Sequence, residues 1–175
     1  MCAGSQYRQE FHVSALERGS QEPKPFQMLV FANFAQIPDD YYTVEIGKAR
    51  LAAEGDDLSI ITYGMGVLWA LEAVKEQGIE ADILDLRTLL PWDKEAVEKT
   101  VKKTGRVLVL HEDTLTGGIG GEIAAWIGEN CFEHLDGPVS RVASLDTAIP
   151  FSPSLEQAFL PKKRLAEKLK ALMEY

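Results

Sequence analysis

Residues 58–86 read LSIITYGMGVLWALEAVKEQGIEADILDL, and this stretch decides the fold class. Its first six residues, Leu58–Tyr63, form a short apolar, β-branched run that is typical of a strand buried on both faces. Apolar residues at positions 67, 68, 71 and 74 then repeat with helical spacing, and the helix is predicted to end before Gly78. A second strand is predicted over Ala81–Leu86. The stretch therefore predicts a strand–helix–strand unit.

The same alternation continues toward the C-terminus. Asp93 is the predicted N-cap of a helix that runs through Lys103 and ends at Gly105. The remaining predicted elements are a strand over Arg106–His111, a helix over Gly117–Leu135, a strand over Val139–Ser144 and one or two helices over Leu155–Tyr175 around Pro161. Short steps of this kind need right-handed crossovers, which place helices on both faces of a mostly parallel sheet. The predicted fold class is a three-layer α/β domain.

The first 36 residues differ in character, because glycine, proline and polar residues interrupt every periodic pattern in them. Only Phe26–Phe34 could form a strand or an adhesive segment there. We expect residues 1–36 to be an irregular tail, a linker or a remnant of foreign sequence. A turn predicted at Ile37–Tyr42 follows them. The α/β domain is therefore predicted over residues 37–175.

The composition of the 175 residues, 46% hydrophobic and 26% charged, is that of an ordinary globular protein. The net charge of −9 opposes large contacts with nucleic acid or an anionic membrane and favours a basic partner. Cys2 and Cys131 lie far apart, so we expect two free thiols in a reducing compartment, with Cys131 in the core. No long apolar run or signal sequence is recognisable. The expected location is the cytoplasm of a bacterium, or the mitochondrial matrix of a eukaryote.

A glycine cluster, Thr116-Gly-Gly-Ile-Gly-Gly-Glu122, opens a predicted helix directly after a strand. Backbone amides at such a position could hold a phosphate. The glycine register of a dinucleotide fingerprint fails, however, because Ile123 stands where the third glycine is needed. We therefore favour the interpretation that the glycines allow a tight turn and close packing of the helix on the strand.

His111, Glu112 and Asp113 end the third predicted strand, at an edge where parallel sheets commonly bind ligands. His111 could act there as a general acid or base, and the neighbouring carboxylates are expected to raise its pKa. We favour a structural role instead, in which these residues make loop hydrogen bonds or an interface contact. The loop or interface candidates are His111, Glu112, Gly117 and Gly118. No residue spacing predicts a metal site, and no catalytic or cofactor-binding residue is assigned.

A series of motifs occurs in order from Ile37 to Tyr175. They are Pro38–Tyr42, Glu45–Ala49, Asp85–Asp93, Lys103–Arg106, His111-Glu112, Leu115–Gly118, Asp136–Pro138 with Arg141-Val142, and Asp146-Thr147 with Ile149-Pro150. In these motifs the chain resembles the C-terminal domain of the β subunit of the thiamine-diphosphate-dependent 2-oxo acid dehydrogenase E1 component, a relative of the transketolase C-terminal domain. The resemblance is closest to the branched-chain type, with pyruvate dehydrogenase as the alternative. Upstream, Phe31–Ala35 departs from the family pattern.

The resemblance implies a role in subunit assembly and in docking of the E2 acyltransferase, with the oxidative decarboxylation carried out by the complete enzyme. Thiamine diphosphate and Mg are then expected outside this chain, which alone would be inactive. The implied partners are an E1 α subunit or α-like region, a second β subunit and the E2 subunit-binding domain. Asp136 and the carboxylate of Tyr175 are the implied contacts to E2. A transketolase-type fragment and a stand-alone interaction module remain as alternative functions.

Overall fold

The computed structural model describes Tyr41 and residues 43–175. The predicted tail over residues 1–36 lies outside this part of the chain. Residues Ile46–Tyr175 form one compact unit. No helix among the described residues is long and apolar enough to cross a membrane.

The strands of this unit form one sheet. They are β1 (Arg50–Ala53), β2 (Leu58–Thr62), β3 (Ala81–Asp85), β4 (Val107–Thr114) and β5 (Ser140–Ser144). Their order across the sheet is β1-β3-β2-β4-β5. All neighbours run parallel except β1, which is antiparallel to β3. In the shared register, Ile60 of β2 lies between Ile83 of β3 and Leu108 of β4.

The helices alternate with these strands. They are α1 (Met65–Gln77), α2 (Lys94–Thr104), α3 (Gly120–Asn130), α4 (Pro153–Phe159) and α5 (Lys162–Met173), with a 3-10 turn at Phe132–His134 after α3. Helix α2 has the predicted ends, because the Asp93 side chain accepts a hydrogen bond from the amide of Ala96 and Gly105 closes the helix with a φ of 68°. The prediction of one helix over Gly117–Leu135 was too long at both ends, since α3 covers only its middle.

The core consists of two apolar clusters, one on each face of the sheet. Leu58 and Ile60 of β2 pack with α1 and α5 on one face. Ile61 packs with Val97 of α2 and Ile123 of α3 on the other. The predicted three-layer α/β architecture is confirmed. Cys131 is buried in the second cluster, as expected for a core residue.

The edge strand β1 has no counterpart among the predicted elements, because its four residues show no apolar alternation and it forms only by pairing with β3. Side chains of the loop after β3 form hydrogen bonds with the backbone of the segment that precedes β1. The guanidinium of Arg87 donates to the carbonyls of Lys48 and Ala49, and the amide of Ala49 donates to Asp93 over 3.0 Å. The polar side chains of this loop thus fix the backbone before β1.

A polar network ties α2 to the sheet within the otherwise apolar core. Asp82 of β3 is 2% exposed and accepts hydrogen bonds of 2.7 Å from Lys103 and from Thr100. Burial alone would raise the pKa of Asp82, but these hydrogen bonds lower it. The network satisfies the buried carboxylate and fixes the position of α2.

Candidate functional site

The sequence-predicted residues fall into two regions. His111, Glu112, Gly117 and Gly118 lie around the carboxyl end of β4, and Asp136 and Tyr175 lie beyond the end of α3. His111 and Glu112 belong to strand β4, which continues to Thr114 and is therefore longer than the predicted strand Arg106–His111. Gly117 and Gly118 form the turn that follows the strand.

His111 is fully buried at the carboxyl edge of the sheet. Its ring stacks on the ring of Tyr63 at the end of β2, with centroids 6.4 Å apart and planes 6° from parallel. The glycine turn covers the imidazole: a Cβ on Gly118 would lie 2.6 Å from its Cε1, and a Cβ on Gly120 would collide with Cδ2 and Nε2. Gly117 has a φ of 78°, and the turn that it makes places Gly118 and Gly120 against the imidazole of His111. The packing interpretation of the cluster is confirmed.

The electrostatics of His111 contradict the expected raised pKa. Within the described chain neither ring nitrogen has a hydrogen-bond partner. Burial lowers the pKa of His111, and the cationic Arg141 lowers it further, against an opposing effect of Asp113. The strand turns the imidazole of His111 inward, whereas Glu112 and Asp113 are exposed. Desolvation therefore lowers the pKa of His111 by more than the neighbouring carboxylates raise it. A neutral, enclosed imidazole of this kind acts as a core residue.

Asp146, which follows β5, holds the glycine turn and was not singled out individually from the sequence. Its carboxylate accepts hydrogen bonds from the backbone amide and the hydroxyl of Thr116, at 2.8 and 2.7 Å. These two bonds lower the pKa of Asp146. The sequence signal for Asp146 is the Asp146-Thr147 motif. Spacing alone does not reveal its contact, because Thr116 lies thirty residues upstream. No group of three or more His, Cys, Asp or Glu side chains within residues 41 and 43–175 could hold a metal ion.

Asp136 and Tyr175 are brought together although they are far apart in sequence. The Asp136 amide donates to the carbonyl of Gly105 over 2.8 Å, which fixes the residue beside the end of α2. A Cβ on Gly137 would lie 3.0 Å from Cγ of Tyr175, so the tyrosine ring packs directly on the residue after Asp136. Both side chains are exposed. An acidic group and an exposed aromatic ring thus share one surface.

A groove of about 680 Å³ borders this surface. One wall is the outer side of α3, where the residues are all small, and the other is the segment from the 3-10 turn to β5. The lining residues are Gly121, Ala124, Ala125, Gly128, Phe132, Leu135, Asp136, Gly137, Pro138, Val139 and Arg141. Apolar and small residues dominate, with one acid and one base. The groove has the chemistry of a protein contact, because no set of convergent polar groups lines it.

Comparison with known proteins gives a consistent picture. The family model described as "Transketolase, C-terminal domain" matches residues 47–164. The 2-oxoisovalerate dehydrogenase subunit beta of Bacillus subtilis is 45% identical over 129 residues, which are 71% of this chain and 39% of that protein. The pyruvate dehydrogenase E1 component subunit beta of Staphylococcus aureus is 37% identical over 153 residues, 85% of this chain and 47% of that protein.

A solved structure described as a split-gene transketolase, an inactive β4 tetramer, superposes with a TM-score of 0.65. It is 26% identical in sequence and is matched over 81% of this chain and 46% of its own. The chain therefore spans less than half the length of each of these relatives.

The packing of α3 on His111 predicts unequal effects of the same substitution at two adjacent glycines. Gly120→Ala drives a methyl group into the buried imidazole and is expected to lower the free energy of unfolding by about 1–3 kcal/mol. Gly121→Ala is the matched control, since its Cβ would meet only the guanidinium of Arg141 at 3.4 Å, and a change within about 1 kcal/mol is expected. Urea denaturation measures both. Equal effects would contradict the packing.

The lowered pKa of His111 predicts a pH dependence of stability. The unfolded chain takes up this proton near the ordinary value of 6.5, whereas the folded chain does so only at lower pH. The free energy of unfolding should therefore fall as the pH drops below 6.5, down to the folded-state pKa. In His111→Gln this part of the slope is expected to vanish, while His134→Gln, at an exposed position, keeps it. Urea denaturation between about pH 7.5 and 5.5 compares the slopes; parallel slopes for wild type and His111→Gln would refute the assignment.

Proposed function

The chain belongs to the transketolase C-terminal domain family, and from that premise we propose that it is the C-terminal domain of the β subunit of a 2-oxo acid dehydrogenase E1 component. We place it in the branched-chain type, whose complete enzyme decarboxylates a branched 2-oxo acid oxidatively and passes the acyl group to lipoamide on E2. The domain itself serves subunit assembly and E2 docking. Its partners are an E1 α subunit, a second β subunit and the E2 subunit-binding domain.

The observation that carries this proposal is the 45% identity with a 2-oxoisovalerate dehydrogenase β subunit over 129 residues. The pyruvate dehydrogenase β subunit is matched at 37%, which makes pyruvate the second candidate substrate. The chain spans about two fifths of the first of these relatives, so the activity belongs to a larger protein. The split-gene transketolase described as a β4 tetramer supports association between copies of such chains.

The described residues do not fit thiamine diphosphate or its Mg ion. The glycine turn that could have received a phosphate is filled by the His111 ring. The carboxylates of the described residues form no cluster suited to a divalent cation. We therefore assign the cofactor to other parts of the complete enzyme. The domain contributes surfaces rather than reacting groups.

The surface formed by Asp136 and Tyr175 is the proposed E2 contact. The exposed carboxylate of Asp136 and the exposed side chain of Tyr175 would face the E2 domain, and a basic E2 surface would agree with the net charge of −9. The Gly137–Tyr175 packing holds the two groups on one side of the unit. Such rim charges steer association and fix its register more than they add affinity.

The activity is tested on the full-length gene product, purified with its α subunit. We expect kcat/KM for branched 2-oxo acids to exceed that for pyruvate by about 10-fold or more. Each additional methyl group that fills a complementary pocket strengthens transition-state binding and so raises kcat/KM. Sugar phosphates should not react. The isolated chain serves as control and should show no saturable heat with thiamine diphosphate and Mg in calorimetry. A preference for pyruvate would identify the enzyme as the second candidate, a pyruvate dehydrogenase. Turnover of sugar phosphates would contradict the proposal.

Docking is tested separately with an immobilised E2 subunit-binding domain. Asp136→Arg is expected to weaken binding by about 10-fold, mainly through a slower association rate that depends less on salt. Removal of Tyr175 should act in the same direction. Glu76→Arg, on the exposed side of α1, changes the net charge equally and is the matched control. Unchanged binding in both test variants, or an equal loss in the control, would eliminate this surface as the E2 site.

A further inference from the structure

We infer that His111 is a pH-sensitive latch: uptake of a proton by its imidazole lifts the turn segment, residues 115–121, away from the end of β4 while the sheet stays folded. The turn segment contains the glycine turn and enters α3. It covers the crevice between β2 and β4 at the carboxyl edge of the sheet. Proton uptake would therefore open the place at which doubly wound sheets usually bind ligands.

The enclosure of His111 suits the neutral imidazole and not the charged one. The side chain is fully buried, and among the described residues neither Nδ1 nor Nε2 has a hydrogen-bond partner. A protonated imidazole carries two N–H donors and a positive charge, so in this position it would lose its hydration without compensation. Protonation therefore favours any conformation that gives the ring access to water. The lowered pKa of His111 has the same cause.

The turn segment is the side of the enclosure that can move. On the opposite side the imidazole stacks on Tyr63, which directly follows the wholly buried strand β2. On the turn side it is covered by Gly118 and Gly120, which have no side chains to anchor them in the core. Ile119 between them is only partly buried, and the next fully buried side chain is that of Ile123. The segment can therefore lift while Ile123 keeps the rest of α3 in place.

Exposed polar contacts fasten the turn segment to the neighbouring strand. Asp146 accepts two hydrogen bonds from Thr116, and Arg141 donates to the carbonyl of Leu115 over 3.4 Å. Gly117, in the left-handed region with a φ of 78°, supplies a backbone on which the segment can pivot. Exposed hydrogen bonds contribute little net stability, because water replaces them when they break. Opening the turn should thus cost much less free energy than unfolding the sheet.

The charged groups near the imidazole set the direction of the change. Tyr63 faces the ring from the end of β2, Asp113 lies on β4 and Arg141 on β5, while α3 presents glycine backbone to it. Asp113 attracts a proton on the ring and Arg141 repels it, so these two effects oppose each other. Glu112 and Glu122, on β4 and in the first turn of α3, are exposed. Opening removes the desolvation and leaves the carboxylates, so the proton stabilises the open form.

Amide hydrogen exchange of the 175-residue chain, corrected for the intrinsic exchange rate at each pH, tests the latch. Between about pH 7.5 and 5.5 the equilibrium constant for opening of residues 115–121 should rise several-fold, and at most about tenfold, as expected for one group with an ordinary pKa of 6.5. Amides of β2 serve as the internal reference, since they exchange through unfolding of the whole unit and should be far better protected at every pH.

Three variants separate the latch from general acid destabilisation. His111→Gln should abolish the pH dependence of exchange in the turn segment, whereas His134→Gln, at an exposed position, should keep it. Thr116→Val removes one hydrogen bond to Asp146 without a change of charge, so the turn should open several-fold more often at every pH with the same pH dependence. Circular dichroism of each variant establishes that it is folded.

NMR of the wild-type chain gives a second test that does not depend on the folding of His111→Gln. The Cε1–H signal of His111 and the amide signals of the turn glycines should titrate together, at a pH below 6.5. Separate titrations, turn amides as well protected as those of β2, an opening independent of pH, or an unchanged pH dependence in His111→Gln would each overturn the latch. Because no E2 domain is present, these outcomes leave the docking proposal untouched, and a failure to bind E2 leaves the latch untouched.

Discussion

Strand β2 is buried at every one of its five positions, and this constraint governs the architecture of the unit. A strand that presents no face to water needs a hydrogen-bonded neighbour on each edge and a helical layer on each face. Its neighbours are β3 and β4, both parallel to it. Helices α1 and α5 cover one face, and α2 and α3 cover the other. Parallel strands end at one edge, which is why the loops after β2, β3 and β4 gather there.

The crevice between β2 and β4 at that edge is where the chain's connections diverge, with β3 on one side and β5 on the other. Doubly wound sheets usually bind their ligand at such a point. In this chain the crevice is filled by protein: the rings of Tyr63 and His111 stack across it, and Gly118 and Gly120 close over the imidazole. The neutral state of His111 makes this filling tolerable, since a charged imidazole without hydrogen-bond partners would be costly to bury. A closed crevice agrees with the proposed role of the domain in subunit assembly and docking.

The elements determined by local chemistry were predictable from the sequence. Helix α2 carries both of its ends in its own residues, Asp93 and Gly105, and the buried strands are recognisable by their apolar runs. The glycine register excluded a dinucleotide fingerprint. The ends of α3 were not predictable, because helix-compatible residues continue into a turn and a 3-10 segment. The inward orientation of His111 depends on α3 and β2 together, and the proximity of Asp136 and Tyr175 depends on the path of α5, so neither could be inferred from spacing.

Charge links the two surfaces beyond α3. A net charge of −9 gives the chain a negative field, but at physiological salt that field decays over about 8 Å. Contact is then decided by the groups that meet directly, and in the α3 groove these are one base, one acid and mostly apolar atoms. At longer range the net negative charge would accelerate encounter with the basic partner proposed above. The segment from Phe132 to Val139 borders both the α3 groove and the Asp136–Tyr175 surface, so a single short stretch after α3 shapes both.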